Sequence, residues 1–293
     1  MSGAPPRVSV LVPFLDNAEH IEQCAAAILA QEAPETVYEA IFIDNGSRDG
    51  SRDRVTRYPR IRIVEEPRRG AYAARNRGVR EARGDVLLFT DADCVPDRGW
   101  LRQHLDALGA PGVEVVLGPR RPARDGTALR LMMLYEETKA AVIFGGRDRA
   151  RYYGYTNNMA VRRETLAACG GFDEVLRGAD SVFVRRVVDR NGPGAVRYRR
   201  EAAVTHLEIR HLGQWYAKHA IYGRSNQRNS RRTATCRPLS LPMRWRTYRA
   251  AVREHGLDRT HAALLLAILV DGGVSHEIGR LAGRFGSVAE ARA

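Results

Sequence analysis

The chain has 293 residues, of which 44% are hydrophobic and 28% charged, with 47 Lys and Arg against 34 Asp and Glu. These values are close to globular averages and exclude a wholly disordered, collagen-like or coiled-coil protein. The four cysteines lie far apart without a Cys-x-x-Cys pair, so we expect no disulfide framework, no structural zinc site and a reducing compartment such as the cytoplasm. The first residues carry no apolar signal core, so we expect no targeting segment.

The basic excess lies mainly in the C-terminal part. Residues 211–293 carry 14 Lys and Arg against 5 Asp and Glu, whereas residues 1–210 carry 33 against 29. We therefore predict a main domain at 1–210 and a basic, mainly helical extension at 211–293. The longest apolar run of the extension, 262–270, is shorter than the about 20 residues that a bilayer needs. For the extension, peripheral contact with the inner face of an anionic membrane, contact with a phosphate-bearing ligand and a solvated surface all stay open. Packing on the domain or on a second subunit of a homodimer is slightly favoured, because Asp271 interrupts the apolar run.

From residue 8 onward, apolar runs alternate with amphipathic stretches. Buried strands are predicted at 8–13, 38–44, 61–64 and 86–90. Helices are predicted between them at 21–29 and 69–83. This order predicts an α/β fold with a doubly wound, mostly parallel sheet flanked by helices. After residue 95 the pattern is looser, with helices predicted at 100–108, 129–143, 164–169 and 181–189 and strands at 113–117, 157–161 and 202–207.

Polar clusters follow two of the predicted strands. Asp44-Asn45-Gly46-Ser47 follows the second strand, and Asp91-Ala92-Asp93 follows the fourth. Ligands of doubly wound sheets bind outside the carboxyl ends of the strands, where both clusters fall. In extended backbone, Asp91 and Asp93 would point the same way, and their oxygens would suit Mg²⁺ or Mn²⁺ carrying a diphosphate. A solvated turn is the alternative for this triplet.

Two further positions carry both a binding and a structural interpretation. Asp44 could accept a hydrogen bond from a ribose or a base, or it could form an Asx-turn with the residues after it. The helix that opens at Gly70 carries small residues and Arg75, which would let a nucleotide approach and meet a cation. An ordinary solvated helix face is the alternative there.

Five segments, in this order, resemble the family-2 glycosyltransferases with the GT-A fold. The segments are Val-Ser-Val-Leu-Val-Pro at 8–13, Ile-Asp-Asn-Gly-Ser-Arg-Asp-Gly-Ser at 43–51, Gly70-x-x-x-Ala74-Arg75-Asn76-x-Gly78, Asp-Val-Leu-Leu-Phe-Thr-Asp-Ala-Asp at 85–93, and Gly-Gly-Phe-Asp-Glu at 170–174. The resemblance covers residues 8 to about 190. It implies a nucleotide-sugar half at about 1–95 and an acceptor half at about 96–210.

The resemblance implies a nucleotide-sugar donor, expected to be a UDP-sugar, a divalent metal (Mn²⁺ or Mg²⁺), and inversion at the anomeric carbon. The acceptor would be a glycan, a lipid-linked molecule or a small molecule, and no nucleic acid is expected. By position, the donor-binding residues would be Pro13, Phe14, Asp44, Asn45, Ser47, Gly70, Arg75, Asp91 and Ala92. The metal ligands would be Asp91, Asp93 and His206, although a core or surface role is the alternative for His206.

The resemblance also implies a general base. Family members usually carry a Glu-Asp pair a few residues after Gly-Phe-Asp-Glu, whereas this chain has Gly178-Ala179-Asp180, so the Glu is absent. We expect Asp180 to take the proton of the acceptor hydroxyl, because that proton must leave as the oxygen attacks. Capping of the following helix is the structural alternative for Asp180.

Three other functions stay open from the sequence. A sugar-nucleotidyltransferase would ordinarily need a Gly-rich, lysine-bearing loop after the first strand, and residues 13–17 read Pro-Phe-Leu-Asp-Asn. A nucleic-acid-binding protein would explain the net charge of +13 but not the paired carboxylates after a buried strand. A non-catalytic protein that binds nucleotide sugars is consistent with the missing Glu.

Overall fold

The computed structural model describes residues 8–33, 38–124, 126–175, 177–229 and 239–285. The predicted absence of a targeting segment therefore concerns residues outside the described part, as does the prediction for 230–238 and 286–293 of the extension. The chain forms two compact units, one of Met1–Arg121 and Tyr153–Leu207, the other of Pro122–Tyr152 and Glu208–Ala293. The sequence predicts a division near residue 210, but it does not foresee that 122–152 groups with the C-terminal residues.

The strands of the described residues lie where the sequence predicts them, with small changes at their ends and three short additions. In chain order they are β1 (Val8–Phe14), β2 (Tyr38–Asp44), β3 (Ile61–Glu65), β4 (Val86–Thr90), β5 (Cys94–Pro96), β6 (Val115–Leu117), β7 (Arg120–Pro122), β8 (Asn158–Arg162), β9 (Val196–Tyr198) and β10 (Val204–His206). The additions are β5, β7 and β9, of three residues each.

The predicted helices of the described residues also lie close to their expected positions, and the short helix α2 was not predicted. They are α1 (Ile21–Leu29), α2 (Ser51–Thr56), α3 (Ala71–Glu81), α4 (Trp100–Leu108), α5 (Thr127–Phe144), α6 (Arg163–Ala168), α7 (Ala179–Asn191), α8 (Leu212–Asn229), α9 (Leu241–Glu254) and α10 (Arg259–Phe285). Single 3₁₀ turns lie at Arg149–Arg151 and Pro193–Ala195.

The first unit is built on a seven-stranded sheet with the order β3-β2-β1-β4-β8-β6-β9. The strands from β3 to β4 are parallel, β8 runs antiparallel to both of its neighbours, and β9 is parallel to β6. This confirms the predicted mostly parallel sheet. A second sheet has the order β5-β10-β7. Its first strand, β5, directly follows β4 in the chain.

Helices cover both faces of the main sheet, as a doubly wound fold requires. One face of β1 presents Val10 and Val12 to a core that includes the buried residues of α1 and α4. On the other face Leu11 packs near α3, where a Cβ on Gly78 would come within 2.8 Å of Ile43 Cδ1. Because successive side chains of β1 point to opposite faces of the sheet, α1 and α3 lie on opposite faces.

The backbone of the Asp91-Ala92-Asp93 triplet differs from the prediction. The strand ends at Thr90, and the amide of Cys94 donates a hydrogen bond to the carbonyl of Asp91 at 3.0 Å, which closes a turn. The expectation that extended backbone points Asp91 and Asp93 in one direction is therefore wrong. The two carboxylates meet different partners.

The second unit is helical, which confirms the predicted character of the extension. Leu129 and Met132 of α5 pack with Trp215 of α8 and Ile268 of α10. Where α8 meets α10 the backbones approach closely, since a Cβ on Gly279 would lie 1.9 Å from the carbonyl oxygen of Ala220. Glycine is thus required at this contact.

Within α10, Arg259–Ala282 is long and apolar enough to cross a membrane by length and composition. The nine-residue apolar run at 262–270 is too short to span a bilayer, but the helix that contains it is longer than this run. The helix continues its apolar character beyond Asp271 through Val274, Ile278 and Leu281. One such helix is by itself only weak support for contact with a membrane.

Candidate active site

The polar segments after β1, β2 and β4 meet at the carboxyl edge of the main sheet. β1 lies between β2 and β4, so Asp44 and Asp91 follow strands that are two positions apart in the sheet. Neighbouring strands are about 4.8 Å apart, which puts these strand ends roughly 10 Å from each other. The remaining residues of the site lie in helices α3 and α7, near the N-terminal ends of these helices.

Asp44 is buried at the end of β2 and forms the Asx-turn that the sequence left as an alternative. Its Oδ1 accepts hydrogen bonds from the amides of Gly46 at 3.2 Å and Ser47 at 2.9 Å. Its Oδ2 lies 3.8 Å from a guanidinium nitrogen of Arg52. The turn therefore occupies one oxygen of Asp44 and leaves the other facing a half-exposed cation.

Asn45 fastens the loop that leads into α3. Its amide nitrogen donates to the carbonyls of Glu66 at 2.7 Å and Arg68 at 2.8 Å, and its amide oxygen accepts from the amide of Gly70 at 2.8 Å. Gly70 has a φ of 133°, a region that disfavours other residues. Asn45 was predicted to bind the donor, and the structure places its side chain on the loop backbone.

Four residues from α3, the β4 turn and α7 form what we name the Arg75 cluster: Tyr72, Arg75, Asp91 and Asp180. Buried Arg75 donates a hydrogen bond from Nη2 to Asp91 Oδ1 at 2.5 Å, and its guanidinium carbon lies 5.2 Å from the ring centroid of Tyr72. The hydroxyl of Tyr72 accepts from the amide of Gly178 at 3.1 Å and hydrogen-bonds Asp180. Arg75, which was predicted to face a nucleotide, is thus the counterion of Asp91.

Asp180 lies in the first turn of α7, after Gly178, whose φ is 89°. Its Oδ1 accepts from the amide of Ser181 at 2.9 Å, and its Oδ2 accepts from the amide of Thr156 at 3.3 Å. Burial raises the pKa of Asp180, whereas the charge of Arg75 and the hydrogen bond from Tyr72 lower it in part. A carboxylate with a raised pKa is a stronger proton acceptor than a solvated one.

A second group, which we name the Asp93 cluster, consists of Asp93, Cys94 and His206. The thiol of Cys94 donates to Asp93 Oδ1 at 3.3 Å, and His206 Nδ1 lies 3.5 Å from Asp93 Oδ2. One potential ligand atom from each residue lies within 4.8 Å of the other two, and all three residues are buried. The amide of Leu207 also donates to the carbonyl of Asp93 at 2.8 Å.

The Asp93 cluster fits a divalent cation by the chemistry of its donors. Carboxylate and imidazole ligands suit Mn²⁺, and two protein ligands leave positions for the oxygens of a diphosphate. Of the three predicted metal ligands, the structure brings Asp93 and His206 together, while Asp91 meets Arg75. The metal role of Asp91 remains a prediction.

The remaining predicted donor-binding residues occupy varied positions. Phe14 is a core residue, 2% exposed, whose ring centroid lies 6.4 Å from that of Phe42. Ala92 is buried in the same core, and Pro13 is buried within β1. The hydroxyl of Ser47 accepts from the amide of Asp16 at 3.2 Å. The Phe14 ring therefore packs in the core at the carboxyl end of β1.

Sequence reasoning missed three parts of the site. Tyr72 was visible only as a residue of the α3 opening, and the backbone of Thr156 carries no side-chain signal. Cys94 follows the Asp-x-Asp triplet, but its proximity to His206 depends on the antiparallel pairing of β5 with β10. Adjacency of Cys94 to a predicted ligand was the one signal that could have identified it.

Comparisons with known proteins agree with these features. Residues 9–173, more than half of the chain, match the family model described as glycosyl transferase family 2. The chain is 30% identical over 197 residues to the glycosyltransferase AglE of Haloferax volcanii. That alignment covers 64% of each protein, so the chain spans less than two thirds of the length of this relative.

Two solved structures resemble the fold. A mannosyltransferase from Pyrobaculum calidifontis, in complex with GDP-Man and Mn²⁺, matches with a TM-score of 0.66 at 21% identity, over 96% of this chain and 88% of that one. The glucosyl-3-phosphoglycerate synthase of Mycobacterium tuberculosis, with Mn²⁺, UDP-glucose and phosphoglyceric acid, matches with a TM-score of 0.54 at 21% identity, over 72% and 75%. Both likenesses support the GT-A fold, and the chain belongs to glycosyl transferase family 2.

Proposed function

We propose that the protein is an inverting, metal-dependent glycosyltransferase that moves a sugar from a nucleotide sugar to an acceptor hydroxyl. The single observation that carries this proposal is the convergence of the Arg75 cluster and the Asp93 cluster at the turn after β4. This proposal is supported by a buried carboxylate with a raised pKa and a group of potential metal ligands in a member of glycosyl transferase family 2. A family member that only binds nucleotide sugars would not need a proton acceptor.

In this proposal Asp180 removes the proton of the attacking acceptor hydroxyl. The amides of Ser181 and Thr156 hold the two carboxylate oxygens, which fixes the direction in which the proton is accepted. Burial raises the pKa of Asp180 and so makes the carboxylate more basic, whereas the charge of Arg75 favours its ionised form. Ala179 stands where relatives carry Glu, so the acceptor contact of that Glu is absent here.

The leaving diphosphate would be held at the Asp93 cluster. A divalent cation bound by Asp93 and His206 would neutralise the charge that develops on the diphosphate. Asp93 is buried, so its charge would act in a medium where electrostatic attraction is stronger than in water. Asp91 would orient the ribose or the cation while Arg75 balances its charge.

We further propose a UDP-sugar as the donor, with a GDP-sugar as the competing choice. The buried Asp44 supplies a hydrogen-bond acceptor at the end of β2. Uracil and guanine each present an N–H to such an acceptor. Asn45 and Gly70 would shape the neighbouring loop for the nucleotide, while Ser47 and Pro13 would line its edge.

The test is a thermal-shift screen of UDP-, GDP-, TDP- and CMP-sugars with and without Mn²⁺, followed by product analysis. A donor that binds only the folded state raises the melting temperature, and we expect this rise to require the metal. NMR of the product should show an inverted anomeric centre. Failure of every donor to raise the melting temperature, together with absence of transfer and of donor hydrolysis, would refute the proposal.

For the second unit we propose peripheral contact with an anionic membrane. Exposed apolar side chains are concentrated on α9 and α10, at Leu241, Trp245, Leu264, Leu266, Val270, Val274, Ile278 and Leu281. The arginines at 244, 246, 249 and 253 of α9 are exposed and supply positive charge. Apolar anchors combined with cations are typical of helices that lie on anionic lipid.

Vesicle flotation tests this contact. We expect the protein to float with phosphatidylglycerol-containing vesicles but not with phosphatidylcholine alone, and Trp245→Ser with Ile278→Ser to reduce the bound fraction. Phe89→Leu, a buried change in the first unit, is the control. If light scattering instead shows a dimer that these substitutions dissociate and no vesicle binds, the apolar surface serves a second copy of the chain.

A further inference from the structure

The Asp93 cluster contains a sulfur atom that the proposed transfer does not use. Cys94 is fully buried, and its Sγ is one of the three potential ligand atoms that lie within 4.8 Å of one another. Mn²⁺ and Mg²⁺ bind well to oxygen and nitrogen, whereas thiolate ligands select softer cations such as Zn²⁺. Cys94 packs in the hydrophobic core, and its sulfur also lies beside a carboxylate and an imidazole.

Strand pairing holds Cys94 in this position. In the antiparallel pair of β5 and β10, Cys94 lies directly opposite His206. Directly opposed residues have Cβ atoms about 4.5–5.5 Å apart and project to the same face. The sulfur and the imidazole are thus neighbours because of the register, which a single-residue slip would destroy.

The distances within the cluster are close to those of a tetrahedral metal site. Zinc ligands at about 2.0–2.3 Å from the ion lie roughly 3.3–3.8 Å from one another in a tetrahedron. The Cys94 Sγ to Asp93 Oδ1 distance is 3.3 Å, and the His206 Nδ1 to Asp93 Oδ2 distance is 3.5 Å. The two distances involve different oxygens of Asp93, so binding of one cation by all three residues requires the side chains to move.

We propose that the Asp93 cluster is a mixed oxygen, nitrogen and sulfur site that binds thiophilic divalent cations, such as Zn²⁺, Co²⁺ and Cd²⁺, through Asp93, His206 and Cys94. On binding, the S–H bond of Cys94 breaks, a sulfur–metal bond forms, and the proton passes to the solvent without any oxidation or reduction. The inference deepens the proposed function, because the same site would hold the Mn²⁺ or Mg²⁺ of the transfer reaction.

This third ligand changes what the site can do. A cation held by Asp93 and His206 alone keeps several positions for diphosphate oxygens. A tetrahedral cation that also binds Cys94 keeps one. Zn²⁺ is therefore expected to compete with Mn²⁺ and to hold the site in a form that binds the donor weakly.

Absorption spectroscopy of the full chain loaded with Co²⁺ tests the inference. We expect a sulfur-to-cobalt charge-transfer band in the near ultraviolet for the wild type. Cys94→Ser should bind Co²⁺ but lack this band. Cys169→Ser, which removes another buried thiol, should keep it. Loss of even an outer-shell partner typically costs about 10–100-fold in metal affinity, so Cys94→Ser should lose at least that much for Zn²⁺.

Manganese binding, followed by electron paramagnetic resonance, shows that the variant site is folded. We expect Cys94→Ser to bind Mn²⁺ with an affinity within about threefold of the wild type, because oxygen and nitrogen ligands suit this ion. Stoichiometric Co²⁺ binding without the sulfur band, or a band that survives in Cys94→Ser, overturns this inference alone. Failure to bind Co²⁺ and Mn²⁺ at all overturns the proposed metal centre as well.

Discussion

The Arg75 cluster and the Asp93 cluster are built from carboxylates only two residues apart, yet they differ in how each charge is balanced. Asp91 is matched by the fixed positive charge of Arg75, and its side chain is 31% exposed. Asp93 is more buried, at 12%, and faces a thiol and an imidazole. A carboxylate that already holds an arginine has less capacity for a cation. The difference teaches that the two carboxylates of the Asp-x-Asp triplet lie in different environments, one paired with a guanidinium and one beside a thiol and an imidazole.

The largest expected effect on activity comes from a substitution in the Asp93 cluster. Asp93→Ala should lower the rate of transfer by about 10³-fold or more, because it removes a ligand whose cation stabilises the leaving group. Isothermal titration with Mn²⁺ should show that binding is lost. Asp106→Ala, an exposed change on α4, is the control and should retain both properties.

Asp91→Ala completes this comparison. Since Asp91 is bound by Arg75, we expect it to act on the cation only indirectly and its loss to weaken Mn²⁺ binding by about tenfold. Equal losses of affinity in Asp91→Ala and Asp93→Ala would show that both carboxylates hold the metal and that the division into two clusters is wrong.

The next effect tests the Arg75 cluster. Asp180→Asn keeps the shape of the side chain but cannot accept a proton, so kcat should fall by about 10²–10³-fold. Donor affinity, measured by calorimetry, should stay within a few-fold. Asp189→Asn, at the other end of α7, is the matched control and should behave as the wild type. A retained kcat in Asp180→Asn would assign the base to another residue.

The charge of Arg75 should influence the pH dependence of kcat. Burial raises the pKa of Asp180 and Arg75 lowers it in part, and a general base must be ionised to accept a proton. Activity should therefore fall as the pH drops through this raised pKa. Arg75→Met removes the lowering influence, so the acid limb of kcat should move to higher pH.

Arg75→Met should also leave Asp91 without its counterion and reduce the free energy of unfolding by about 1–3 kcal/mol. Arg77→Met, which breaks a surface pair with Glu81 on the same helix, should cost at most about 1 kcal/mol and leave the pH profile unchanged. An acid limb that does not move in Arg75→Met would mean that Arg75 does not influence the base.

The smallest effect concerns the loop before α3. Asn45→Ala leaves the carbonyls of Glu66 and Arg68 without the side chain that binds them, which should cost about 1–3 kcal/mol of stability and raise the KM for the donor severalfold. Asn76→Ala removes a comparable contact to the backbone of Phe172 and should lower stability without changing this KM. Equal KM values in the two variants would make Asn45 purely structural.

Much of the fold could be predicted because it depends on local patterns. The apolar runs that form β1, β2 and β4 are continuous in the sequence. Asp44 is the last residue of β2, and Asp91 directly follows β4. Their position at one sheet edge follows from parallel strand order. The resemblance to a known family supplied Asp180, which no local pattern would single out.

The partners of these residues could not be predicted, because they depend on contacts between distant parts of the chain. Arg75 meets Asp91 only once α3 packs on the sheet, and Cys94 meets His206 only through the register of β5 and β10. The turn at Asp91 also overrides the extended geometry assumed from the sequence. Contacts between distant parts of the chain and the turn at Asp91 therefore account for most of the difference between the predicted and the observed site.

The hydrogen bond from Leu207 to Asp93 has a mechanical consequence. His206 contributes to the Asp93 cluster, Leu207 is tied to the backbone of Asp93, and Glu208 already belongs to the second unit. The backbone at the end of the first unit is therefore fixed directly beside the carboxylate and the imidazole of this cluster. A substitution that breaks this backbone contact is expected to shift the imidazole of His206 relative to Asp93.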